Sequence, residues 1–159
     1  MNLKEINSTT SGIPFEDSHG SDFIIIACSD PRYRLHLNEF EKQLGGKIDR
    51  IILPGGPLGF AAKKYGLTDT AQGVMEWTDL LAKAHHVKEI ILMSHAGCAA
   101  YGNALKVAGF EESSVDARQQ EDLVAARKQI QAVLPEVKVR LFMEAPSESG
   151  VVKFTEYEI

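Results

Sequence analysis

Five consecutive apolar residues, Phe23-Ile24-Ile25-Ile26-Ala27, run straight into Cys28-Ser29-Asp30-Pro31-Arg32. The run is too short for an ordinary helix and does not alternate, so it reads as a strand buried on both faces. A second run, Ile90-Ile91-Leu92-Met93, leads in the same way to His95-Ala96-Gly97-Cys98. Strands of this kind belong to sheets covered by helices on both sides, which narrows the chain to an α/β architecture. The remaining patterns fit between these two strands. Helical spacing over 35–44 gathers Leu35, Leu37, Phe40 and Leu44, and Gly45-Gly46 closes that helix. A short strand over 49–53 stops at Pro54-Gly55-Gly56-Pro57, and a helix over 70–84 carries Val74, Trp77, Leu80 and Leu81 on one side. The strand ending near Ser94 is followed by a short helix over 101–107 and a long one within 114–134, which Pro135 ends. A strand over 137–144 and a possible closing strand over 150–159 complete the series. Strands separated by helices need crossover connections, hence a mainly parallel sheet.

A chain of 159 residues has the length of one domain with a real core. Residues 1–22, rich in Ser, Thr, Gly and Asp, read as an N-terminal arm, and 23–159 as a single α/β domain. The net charge of -5 argues against a nucleic-acid partner or an anionic membrane surface. No run of about 18 apolar residues is present to span a membrane, and the arm has no apolar leader core. A cytoplasmic location is the expectation, and a reducing compartment disfavours a disulfide between the two cysteines. The Gly55-Gly56 turn lacks the form of a phosphate-binding loop, and Cys28 and Cys98 do not make a C-x-x-C redox pair.

Those two cysteines therefore need another explanation. In parallel sheets ligands bind beyond the carboxyl ends of strands, where the strand order reverses. Cys28 and His95 both fall just past the carboxyl end of an expected strand, and would meet at such a point if the first and third strands are neighbours; Cys98 lies three residues on, past a turn at Gly97. A lone buried cysteine is usually a small hydrophobe. Two thiols and an imidazole at the ends of two strands instead suit a zinc ion with three protein ligands and one open position, the pattern of catalytic zinc. Asp30 is within reach of such a metal or of its water, and Arg32 can hold a carboxylate in a bidentate fork. On an open surface the same pair would be an ion pair of little worth. His36, His85 and His86 fall at helix or surface positions away from the carboxyl edge.

C-x-D-x-R followed by H-x-x-C resembles the β-class carbonic anhydrases, and the order of strands and helices from Phe23 onward agrees. The resemblance implies a sheet of order 2-1-3-4 flanked by helices, with the first and third strands adjacent, and a homodimer or higher homo-oligomer. It implies Zn2+ on Cys28, His95 and Cys98, and a catalytic dyad of Asp30 and Arg32. The implied reaction is reversible hydration of CO2 to bicarbonate by zinc-bound hydroxide. Arg32 would hold Asp30 off the metal, although in some family members this aspartate becomes a fourth ligand. The chain also departs from the family. Ala99 stands where a glycine usually follows the second metal cysteine, and the Pro-Gly-Gly-Pro turn replaces an Asn-containing stretch. His19 occupies the place, nine before Cys28, of a substrate-binding glutamine. His19, Gly56 and Gly97 are thus the expected substrate-binding residues, although His19 also fits an exposed position on the arm. Two other readings stay open: a zinc hydrolase acting on carbonyl sulfide or carbon disulfide, and a zinc-binding protein without catalysis.

Overall fold

The computed structural model describes residues 17, 19–111 and 115–158. Most of the expected arm over 1–22 therefore lies outside the described residues. Five strands form one sheet: β1 (Phe23–Cys28), β2 (Ile48–Leu53), β3 (Glu89–His95), β4 (Lys138–Pro146) and β5 (Val152–Glu156). Their order is β2-β1-β3-β4-β5. The first four strands are mutually parallel, and β5 closes the sheet antiparallel to β4. The helices are α1 (Arg34–Leu44), α2 (Leu58–Ala61), α3 (Ala71–Ala84), α4 (Ala99–Val107) and α5 (Val115–Val133), with a 3-10 turn over Ala62–Tyr65 after α2.

The continuous apolar runs do what their composition requires. Ile24, Ile25, Ile26, Ile90, Ile91 and Leu92 are completely buried. Alternate residues serve opposite faces. Ile24, Ile26, Ile90, Leu92 and Leu141 pack with Leu123, Ala126 and Ile130 of α5. Ile25, Ala27, Ile91, Met93 and Phe142 pack with Leu37 and Phe40 of α1. Each fully buried Ile or Leu contributes about 1.5–3 kcal/mol, so a charge at Ile25 would destroy the layer. Phe40 locks α1 to the far edge of the sheet, its ring 5.1 Å from that of Phe142 and 4.8 Å from that of Phe154. Arg140 ties three strands together by donating to Glu89 of β3 and Glu156 of β5.

Several expectations change. Trp77 and Leu80 do not face the core: they are 63% and 53% exposed. The stripe that α3 buries is Val74, Thr78 and Ala82, a strict i, i+4 row of smaller side chains. Leu35 is 72% exposed because it stands about 200° around α1 from Leu37. α4 begins at Ala99, so Cys98 itself is the N-cap residue. The 58–65 stretch, which carries no helical repeat, still coils into α2 and the following turn.

Candidate metal centre

Two adjacent parallel strands end side by side, and each ends on a side chain suited to metal. Cys28 closes β1 and His95 closes β3. Gly97, at φ +63, turns the chain so that Cys98 comes back to the same point. The ligand atoms of Cys28, His95 and Cys98 lie within 4.8 Å of one another. The two sulfurs are 3.8 Å apart. That is far beyond a disulfide bond. Two sulfurs each about 2.3 Å from one tetrahedral ion would stand about 3.8 Å apart.

The surroundings fix each ligand. Gly56 (φ +54) packs against β1 so tightly that a Cβ there would lie 2.8 Å from the carbonyl carbon of Ala27. This close approach lets the Gly55 N–H donate to Cys28 Sγ at 3.2 Å. The Cys98 thiol holds the Cys28 sulfur well below the usual thiol range, against the opposing effect of burial, with His95 and Gly55 adding to the pull. The same contact, together with burial, pushes the Cys98 thiol up. The two thiols thus shift in opposite directions through one shared contact.

His95 is equally constrained. Its Nδ1 lies 3.0 Å from the Ala96 carbonyl, which accepts from Nδ1–H and leaves the Nε2 lone pair to the cluster. Gln119 of α5 donates to the His95 carbonyl at 3.0 Å. The Tyr33 ring covers the imidazole at 4.3 Å, and its hydroxyl donates to Ala96. Burial disfavours the charged imidazole, but the neighbouring Cys28 sulfur and the Ala96 carbonyl outweigh it and raise the pKa. Nε2 is buried with no partner among the described residues. A buried, unpartnered nitrogen facing two sulfurs fits a metal ion.

Asp30 and Arg32 sit beside this cluster in the expected fork. Arg32 Nε donates to both oxygens of Asp30 at 3.0 and 3.1 Å, and Nη2 donates to Oδ2 at 2.6 Å. Nη2 also donates to the Gly97 carbonyl at 2.9 Å. Arg32 thus binds the β1 loop to the β3 loop. Its hydrogen bonds hold the Asp30 carboxyl down to about 2. Asp30 Oδ2 lies 3.8 Å from His95 Nε2.

A cavity of about 150 Å³ opens from the site toward α1. Its wall includes Ala27, Leu37, Ile52 and Met93, and its polar side chains include Asp30, His95 and Glu144. Gly56 and Gly97 do not line it; they shape the loops that hold the ligands. His19 lies outside this cavity, at the amino ends of the strands with Lys47, Asp49 and His85, a full strand length from Cys28. The residue that sequence reasoning missed is Glu144. It pairs in register with His95, is 3% exposed, and its Oε1 has no partner among the described residues. Burial pushes its carboxyl up to about 8, with Asp30 and Cys28 adding to the shift against the pull of His95. Its signal was one acid among the apolar residues of β4.

No protein-family model matches the chain. An uncharacterized protein of Rickettsia bellii is 30% identical over 124 residues, covering 76% of this chain and 74% of that one. This chain belongs to that protein's family. An uncharacterized Rickettsia conorii protein is 26% identical over 102 residues, or 63% of this chain and 54% of its own length. Among solved structures, the β-carbonic anhydrase isoform I of Trichomonas vaginalis matches with a TM-score of 0.51 at 15% identity, covering 89% of this chain and 86% of that one. The carbonic anhydrase of Streptococcus mutans gives 0.54 at 14%, with the same coverage. A β-carbonic anhydrase of Aspergillus fumigatus gives 0.55 at 14%, covering 86% of this chain and 76% of that one. The fold of this chain is therefore that of the β-carbonic anhydrases.

Proposed function

We propose that the protein is a zinc enzyme of carbonic anhydrase type, converting CO2 and bicarbonate. The observation that carries this reading is the convergence of Cys28, Cys98 and the unpartnered Nε2 of His95 beside an Asp30 carboxylate engaged by Arg32. Cys28, His95 and Cys98 would hold the ion. Bound zinc would supply Lewis acidity, which brings the pKa of water down to about 7.

The protein's own residues do the rest. Arg32 keeps Asp30 ionised and turned toward the site, so that Asp30 can accept a hydrogen bond and orient a water molecule. Both Asp30 oxygens are occupied by the guanidinium, which favours the free dyad over Asp30 as a fourth ligand. The apolar wall of Ala27, Ile52 and Met93 suits a small, uncharged, linear substrate. A homodimer or higher homo-oligomer in the cytoplasm goes with this reading.

Zinc analysis and stopped-flow CO2 hydration test it together. One zinc per chain and turnover that Asp30→Asn removes are expected. Zinc with hydrogen sulfide release from carbonyl sulfide, and no hydration, would instead make it a hydrolase. A chain that binds no zinc would overturn the reading altogether.

A further inference from the structure

We infer that Glu144 would make one hydrogen bond to a small oxygen-bearing molecule taken up by the cavity. The inference builds on the carbonic anhydrase reading, for which that molecule is bicarbonate.

Glu144 lies opposite His95 in the parallel register of β3 and β4, so the two side chains leave the same face of the sheet. That face is the one α1 covers and the cavity occupies. A carboxyl group that is 97% buried needs partners, because burial without them is costly. Other acids in the structure have them. Glu89 meets Arg140 and Lys138, Glu41 meets Arg50, and Asp122 meets Lys64 and Tyr65. No cation pairs with Glu144 among the described residues, and its Oε1 has no hydrogen-bond partner there.

Asp30, the other cavity carboxyl, already has both oxygens engaged by Arg32, and its remaining lone pairs serve the water. Glu144 is the cavity carboxyl with an oxygen that no described group engages. The rest of the wall combines apolar Ala27, Leu37, Ile52 and Met93 with the cationic Arg34 and Arg50, which suit an anion. A few-atom molecule with one oxygen against Glu144 and another toward Cys28 and His95 fits this division. The hydrogen bond needs one proton between a Glu144 oxygen and a bicarbonate oxygen, and bicarbonate brings its own hydroxyl.

The test is binding of 13C-labelled bicarbonate to the full chain after zinc loading, followed by NMR line broadening, for the wild type, Glu144→Gln and Glu144→Leu. Glu144→Gln keeps a hydrogen-bonding head and should bind within about threefold of the wild type. Glu144→Leu should weaken binding about tenfold. It should also raise the Tm of the metal-free chain, because it removes an unpaired buried carboxyl; a purely structural glutamate would lower it. Should Glu144→Leu fail to fold, Glu144→Met carries the same expectations. A wild type that binds no bicarbonate, or an apolar variant that binds within twofold of it, overturns the inference. Zinc content of the same samples reports separately on the metal reading. Bicarbonate binding that depends on Glu144 in a chain without zinc would sink the anhydrase and leave the role of Glu144 standing.

Discussion

The two ends of the sheet are built from the same strands and hold similar residue types, yet they treat polar groups in opposite ways. At the amino ends several groups are paired. His85 Nδ1 lies 2.6 Å from Asp49, Ser21 donates to the Lys47 carbonyl at 3.0 Å, and Asp22 accepts from the Lys47 N–H at 2.8 Å. At the carboxyl ends His95 Nε2 and Glu144 Oε1 are buried with no partner among the described residues. The paired groups at the first end suit stability. Unsatisfied buried polar atoms around a cavity, as at the second, are costly unless something binds there, which is what the proposed function requires. The Cys28 and His95 loops leave adjacent strands side by side and are shaped by Gly56 and Gly97.

Breaking the carboxyl end should have the largest effects. Cys28→Ser and Cys98→Ser should each lower zinc affinity by at least about 100-fold, since even partners that only orient ligands are worth 10–100-fold; metal analysis after dialysis reads this. Asp30→Asn should retain zinc and lose about 100-fold in CO2 hydration. An Asp30→Asn protein of unaltered rate would show that the fork with Arg32 is only structural.

Glu144 links the site to stability through pH. Its folded pKa of about 8 lies above the ordinary 4.5. The metal-free fold therefore favours the protonated form. That advantage is complete below pH 4.5 and is lost as pH rises through about 8. Between pH 5 and pH 9, the wild type should lose on the order of 2–4 kcal/mol relative to Glu144→Gln. Urea unfolding at both pH values measures it, and parallel curves for the two proteins would show that Glu144 is not buried as described.

The amino end should respond in the opposite sense. His85→Ala should cost about 1 kcal/mol in urea unfolding and leave zinc content and hydration unchanged. His19→Ala should be the mildest change, with turnover and its pH profile intact, because the His19 side chain is 91% exposed and its ion pair with Asp17, at 3.7 Å, lies on the surface. A change in turnover from either histidine would erase the division between the two ends.

Much of this was legible in the residues. Unbroken apolar runs between helical repeats imply a parallel sheet, and the soft, nitrogen- and sulfur-bearing side chains after two of those runs imply a metal. Asp30 and Arg32 were readable because they are two apart, so local geometry alone lets the fork form. The long-range features were not. Glu144 meets His95 across 49 positions only because β4 lies in one register beside β3. The exposure of Trp77 and the distance of His19 depend on which face α3 presents and where the chain enters β1.

Composition and local spacing by themselves determined the fold class, the metal-ligating chemistry and the Asp30–Arg32 pair, because each rests on neighbours in the chain or on the period of a single element. Tertiary structure alone decided that the two sulfurs stand 3.8 Å apart, that Nε2 and Oε1 are left unpartnered, and that Glu144 rather than His19 shares the cavity. Those outcomes depend on strand register and on how tightly one backbone can approach another, and neither is written in any short stretch of residues.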